Sequence, residues 1–498
     1  HLITHIIVSS HFYVNHYDIV QQQPQHQQPI LFGLSITTPR DPLILATELP
    51  LSIKYFKYTT VSQQLTKEYI PQTITSLYLD ISVRIDRIPK SVKTLTIDST
   101  YQSKRDKKRL KGLRFHHLSQ LLPPSLTKFQ FNDHYYNAKI DFNLNQMPPN
   151  LTYLAIYGDF TFTGNGNGSL KYLKLNTGSD GPYLIPTSVT QLKMSTPSLD
   201  STPLPPNLNH LEYNFIGLVG ETATSPKKFP EKLTTLSLKN CSYTNISKNN
   251  WPSGVLDYRN WSEQSEKDVP YLPPSLTKAR LCIDKDMKEL PILPSSLTEL
   301  KMLSTRRFET FTGPSPFHSY FPNTIVKLVL QYSGELFIGL IPTSVTDLKL
   351  NYPKPIPKGA IPNSVTKLHL VNNSYLVQPI VIPNSVTYLT FEFARQLYPE
   401  LEIPDSVKTL KIIYLEFNNT PLLDFFKTPF KNITRFSTYE FMHDRLVEKL
   451  RDKKLFPNLK QINVVGHYNH IIEQNMVYNE VDYRNNRGGS SNFKNKYK

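Results

Sequence analysis

Cysteine is nearly absent: the 498 residues hold two, Cys241 and Cys282. Two thiols cannot build a disulfide framework, and their surroundings do not resemble a zinc site. Such sparse use fits a reducing compartment, so a cytoplasmic location is expected. Long apolar runs are also missing. No stretch approaches the ~18 residues needed to span a bilayer, so no membrane span is expected. The opening, HLITHIIVSSHFYVNHYDIV, lacks a basic flank, a continuous apolar core and a cleavage signature. It begins on His1 rather than Met and reads as part of a longer protein.

Catalytic signatures are missing too. There is no HExxH, no GxSxG and no P-loop. GNGNG (Gly164 to Gly168) is glycine-rich but does not sit between a strand and a helix, which a phosphate loop requires, so it reads as a loop. His467 and His470 have no third ligand, and His116-His117 has the same standing. No enzyme activity, cofactor or metal is expected. The Asn-x-Ser/Thr matches at Asn150, Asn167, Asn245, Asn260, Asn372, Asn418 and Asn432 are those of an Asn-rich chain.

What the chain has is proline, 40 residues of it, much of it in one recurring phrase. The phrase is Pro-x-Ser/Asn-Val/Leu-Thr-x-Leu-x-Leu. Its clearest copies are IPTSVTDLKL (Ile341 to Leu350), IPNSVTKLHL (Ile361 to Leu370) and IPNSVTYLTF (Ile382 to Phe391). About sixteen copies run from Leu49 to about residue 413, at steps near twenty residues. A fixed short period means stacked coils. Proline fixes φ and suits the turn before a strand. Ser or Asn can bond nearby backbone in that turn. Val/Leu, Thr and Leu-x-Leu then read as one short strand, with the Val/Leu and both Leu positions facing inward. Roughly fifteen residues remain for the return, too few for the helix pair of a ~34-residue repeat.

The expected fold is mainly β: a right-handed parallel β-solenoid of about sixteen coils, leucine-rich-repeat-like, with a short α-helical C-terminal cap. Residues 1–45 read as a non-repeat segment with a Gln/Pro linker, Gln21 to Gln28. Residues 46–413 form the solenoid, with insertions near 101–120, 241–269 and 304–320. Residues 414–470 form the cap. Its helix is expected over about 437–454, where Phe441, Leu446, Val447 and Leu450 fall at helical spacing, and FPNLKQINVV (Phe456 to Val465) follows as a last strand. Residues 471–498 read as a disordered basic tail.

The phrase and its period closely resemble the FNIP repeat, a leucine-rich-repeat-like unit of social amoebae and some giant viruses. The resemblance spans about residues 49–413. The middle motif of that family, Phe-Asn-x-Pro-Ile/Leu, is poorly kept; VQPIVIP (Val377 to Pro383) retains its Gln-Pro-Ile part. The resemblance implies interaction through a repeat surface rather than catalysis. Some relatives resemble F-box proteins, which implies substrate recognition for a ubiquitin ligase, although no convincing F-box stands here.

The formal charge of +16 favours acidic partners. Between the two inward leucines lies an outward position. It is read down the copies as Lys57, Tyr78, Thr96, Gln130, Ala155, Lys174, Lys193, Glu212, Ser237, Arg280, Lys301, Val329, Lys349, His369, Thr390 and Lys411. Lys and Arg hold seven of these sixteen places, and the neighbouring column adds Tyr153, Tyr172 and Tyr388. Such a ladder suits an acidic or phosphorylated protein partner. It equally suits the plain need of stacked strands for soluble outward residues. The leading expectation is a monomeric protein-interaction scaffold. The alternative is a polyanion binder for nucleic acid or acidic polysaccharide, aided by the basic run Lys104 to Arg114.

Overall fold

In a computed structural model of the chain, the described residues are 5–8, 33–36, 51–58, 68–80, 87–98, 122–133, 139–166, 168–178, 183–199, 202–216, 229–240, 251–261, 271–283, 291–304, 320–332, 336–352, 354–372, 381–393, 403–414, 430–439, 455–465 and 474–477. They fall into two units: residues 1–282 with 286–292, and 283–285 with 293–498.

The first unit holds β1 (His5–Val8), β2 (Gly33–Ile36), β3 (Tyr55–Tyr58), β4 (Ser76–Asp80), β5 (Thr94–Asp98), β6 (Lys128–Asn132), β7 (Lys139–Asn143), β8 (Tyr153–Tyr157), β9 (Asp159–Thr163), β10 (Tyr172–Asn176), β11 (Gln191–Thr196), β12 (His210–Phe215), β13 (Thr235–Lys239), β14 (Asp257–Trp261) and β15 (Lys278–Ile283). All but β7 and β9 pair in chain order, each parallel to the next. β7 and β9 pair with each other as a separate parallel ladder. Phe142 of β7 meets Phe129 and Phe131 of β6 edge-on at 6.4 and 6.3 Å, so this ladder closes part of the core behind the main sheet.

The second unit holds β16 (Glu299–Ser304), β17 (Lys327–Gln331), β18 (Asp347–Asn351), β19 (Lys367–Asn372), β20 (Tyr388–Phe393), β21 (Thr409–Tyr414), β22 (Arg435–Tyr439), β23 (Gln461–Val465) and β24 (Gln474–Val477). β16 to β23 are again parallel in chain order, and β24 lies antiparallel on β23. Each unit is thus a parallel β-solenoid, with one strand per coil in its main sheet.

The rung at IPTSVTDLKL shows how the letters build a coil. Val345 N–H donates to Pro342 O at 3.1 Å, which closes a tight turn. Ser344 Oγ donates to Ile325 O on the preceding coil. Thr346 N–H and Asp347 N–H both donate to Val326 O, at 2.9 and 3.1 Å, and the ladder then continues through β18. Val345, Leu348 and Leu350 are fully buried. A leucine taken wholly out of water contributes about 1.5–3 kcal/mol. Because the same three positions are buried in rung after rung, stacking shares one apolar interior among neighbours.

The expectation that Val345 opens the strand is corrected here. Val345 and Leu348 are three residues apart, so they cannot share one face of an alternating strand. Val345 points inward because it ends the Pro342 turn, and β18 begins only at Asp347.

The return path reuses the same device. Leu340 N–H donates to Phe337 O at 3.2 Å, with Gly339 at φ +92°. Ala360 N–H donates to Pro357 O at 3.0 Å, with Gly359 at φ +84°. Both are type II turns, which place a left-handed residue third. LFIGLIP (Leu336 to Pro342) and IPKGAIP (Ile356 to Pro362) are therefore paired turns, one on the return and one before the strand.

Several boundaries also differ from expectation. β1 and β2 are rungs inside the segment read as non-repeat. The insertion placed at 241–269 contains a true rung, β14, whose turn has Val255 N–H on Pro252 O at 3.3 Å. WPSGVLDYRN (Trp251 to Asn260) keeps only the proline and the first apolar letter of the phrase, so sequence pattern alone passed it over. The helix expected from 437 is contradicted at its start, because Ser437, Thr438 and Tyr439 belong to β22. Phe436 of that strand is fully buried and takes the first Leu place of a degenerate phrase. β24 is a strand inside the 471–498 segment read as disordered. Residues 440–454, the insertion at 101–120, most of that at 304–320, the run 104–114, the Gln/Pro segment, His116, His117, His467, His470, Cys241 and the rest of the tail lie outside the described residues. The final strand expected at 456–465 is β23.

Candidate functional site

Parallel registry turns each outward sequence position into a column across the sheet. In the first unit Lys57, Tyr78, Thr96, Gln130, Ala155, Lys174, Lys193, Glu212, Ser237, Arg259 and Arg280 are consecutive register partners. In the second unit the same holds for Lys301, Val329, Lys349, His369, Thr390 and Lys411. Arg259 is the member that sequence reading missed, because its rung was read as a loop. Ala155, Ser237 and Thr390 face outward yet are buried, as short side chains flanked by longer ones on adjacent rungs.

Much of the positive charge is answered within the sheet. Lys193 and Lys239 both reach Glu212, at 2.8 and 2.6 Å. Burial alone would raise that carboxyl. Hydrogen bonds from Lys193 and Lys239, with their charges, hold it instead at about 2. In the second unit Glu392 accepts from His369 at 2.8 Å and from Lys349 at 3.1 Å. The His369 bond is the main cause of its depression to about 2. Arg259 grips Asp257 on its own strand through two hydrogen bonds, at 3.1 and 2.7 Å. Burial lowers the neighbouring Arg280 to about 10, and Arg259 adds to the effect. Lys57 lies 4.6 Å from the ring centre of Tyr78.

One stretch of the first unit combines aromatic surface with cations that have no acidic partner among the described residues. The rings of Tyr153 on β8 and Tyr172 on β10 stack at 4.5 Å with a 6° tilt. Lys128 of β6 sits 4.6 Å over the Tyr153 ring. Burial raises both phenols above their ordinary value. Lys171 and Lys174 stand exposed on the same coil as Tyr172. In the second unit Tyr388 is exposed, with Lys367 as its register partner, and Lys301 and Lys411 are half-exposed.

The remaining polar letters are structural. GNGNG follows β9, and its Asn165 N–H and Gly166 N–H donate to Asn145 Oδ1, which makes it a loop between coils. Asn150 Nδ2 donates to Pro124 O on the preceding coil at 3.1 Å. Cys282 is a half-exposed strand residue. Among the described residues no group of three His, Cys, Asp or Glu is placed to hold a metal. Among those residues, too, no helix is long and apolar enough to cross a membrane.

One short strand per coil, its leucines inward and its neighbours parallel, defines a leucine-rich-repeat-like solenoid protein. Residues 351–394 match the family model of the FNIP Repeat. The crystal structure of CroV588, described as a novel circular LRR protein, is similar at 18% identity and a TM-score of 0.47, covering 91% of this chain and 68% of that one. No curated protein matches the sequence.

Proposed function

We propose that the chain is a non-catalytic scaffold that binds another protein through the outward face of its stacked strands. The observation that carries this reading is the Tyr153–Tyr172 stack with Lys128, Lys171 and Lys174 around it. Rigid tyrosine surface is the composition of interface hot spots, and lysines at its border suit the polar rim facing an acidic partner. Service as the substrate-recognition arm of a ubiquitin ligase belongs to the same proposal and is supported by the family resemblance alone.

The test is capture of cross-linked partners by wild type and by a Tyr153→Ala/Tyr172→Ala variant with an unchanged far-UV spectrum. The expected result is loss of specific partners in the variant, while wild-type complexes persist as salt is raised. An identical partner set in both proteins would overturn the assignment of this face. Binding that collapses steeply with salt would point instead to a polyanion.

A further inference from the structure

The second unit sorts its charge along the stack. On its earlier rungs one outward column runs Glu299, Lys327, Asp347, Lys367 in register, so the signs alternate. Lys349 and His369 are answered by Glu392. On the last three parallel rungs the described residues carry far more basic than acidic side chains. The described residues around β21, β22 and β23 include Lys408, Lys411, Lys431, Arg435 and Lys460, against one acid, the exposed Asp405. Among the described residues, Lys408, Arg435 and Lys460 take part in no ion pair, and all three are exposed.

Backbone bonds fix these three close together. Thr434 N–H and Arg435 N–H both donate to Lys408 O, at 2.9 and 3.1 Å. Lys460 N–H donates to Thr434 O at 2.9 Å. Lys408 and Lys460 thus stand at the same corner of the coil two rungs apart, about 10 Å at the usual strand spacing. Thr434 lies between them, and Arg435 faces outward beside it. Thr434 spends its own hydroxyl on Lys408 O, at 3.2 Å.

Three like charges thus stand at neighbouring positions of three successive rungs, with no carboxylate beside them among the described residues. Carboxylates on an extended chain would fall about 6.8 Å apart on one side, each carrying a single charge. One phosphoryl group carries about −1.5 to −2 with three acceptor oxygens, and an arginine fork matches it. We propose that Lys408, Arg435 and Lys460 form a docking site for a phosphorylated side chain of a protein partner. The site uses none of the residues of the tyrosine face, so either assignment can fail alone.

The test uses the full chain and beads carrying a degenerate phosphoserine peptide library, with the unphosphorylated library alongside. Wild type is expected to be retained at least tenfold better on the phosphorylated beads, with inorganic phosphate competing. Arg435→Gln and, separately, Lys460→Gln should lose that preference while melting at the wild-type temperature, because both side chains are exposed. The site is disproved if both libraries retain wild type equally, if neither does, or if both variants keep the preference. Retention on double-stranded DNA beads without phosphopeptide preference would likewise disprove it and assign the cluster to nucleic acid.

Discussion

Ser344 Oγ lies 2.7 Å from the carbonyl oxygen of Ile325, nineteen residues earlier and one coil back. The contact recurs at the same letter of the phrase. Ser125 reaches Val92 O, Ser275 reaches Val255 O, Ser364 reaches Val345 O, Ser385 reaches Val365 O and Ser406 reaches Val386 O, each at 2.8 Å. Serine there is a rivet between coils, satisfying a carbonyl that the turn has turned away from the ladder.

Two of the serine copies differ: among the described residues, the hydroxyls of Ser91 and Ser188 are buried with no partner. Ser188 lines a small apolar pocket with Leu144, Met147, Leu151, Leu154, Leu170 and Pro186. Removing a satisfied buried hydrogen bond costs about 1 kcal/mol, whereas removing an unsatisfied hydroxyl costs nothing and relieves its desolvation. Ser344→Ala should therefore lower stability by about 1 kcal/mol, and Ser188→Ala should leave it equal or higher. Urea unfolding of the two variants checks the contrast.

The return turn offers a second test. Gly339 has φ +92°, and a Cβ added there would meet nothing within 4 Å. Alanine is thus opposed by backbone conformation alone, at about 1–2 kcal/mol. Gly339→Ala should lower the melting temperature, while Gly339→Asn, which tolerates left-handed φ better, should recover part of the loss.

Most of this architecture was legible from letters alone. Leu348 and Leu350 alternate with Asp347 and Lys349, and nothing but a strand serves that pattern. Lys57 through Lys411 fell into register within each unit, because one phrase sets one strand length and one pleat phase. The limits were equally physical. β14 hid because Tyr258 and Asn260 stand where leucines belong. The Val345 turn was misread because a tight turn, rather than alternation, brings it inward. Lys239 and Glu392 escaped notice because they lie one outward step beyond the ladder position, and continuing the alternation two residues further would have found both.

Those missed partners change how the ladder should be probed. Lys174 is exposed and makes no ion pair among the described residues, so Lys174→Glu should alter stability by less than about 0.5 kcal/mol. Lys193→Glu would set a second carboxylate beside Glu212 and leave Lys239, on the far side of Glu212, to answer both. A loss of about 1 kcal/mol or more is expected, greater at low salt. Thermal melts at two ionic strengths separate the cases. Only the Lys174 variant reports on binding without disturbing the rungs.

The two carboxylate hubs also predict the acid limb of the stability curve. Glu212 and Glu392 each titrate at about 2 in the folded chain, against an ordinary value of 4.5. A depressed carboxylate lends stability that is complete above about pH 4.5 and disappears as pH falls through about 2, because the unfolded chain binds protons first. Glu212→Gln removes the ion pairs while keeping the shape, so at neutral pH it should destabilise by about 1 kcal/mol. Near pH 2 the wild-type group is itself largely protonated, and the gap should close. Melting temperatures of wild type, Glu212→Gln and Glu392→Gln between pH 7 and pH 2 should therefore converge at the acid end. Parallel curves over that whole range would mean that neither hub holds its rungs together by charge.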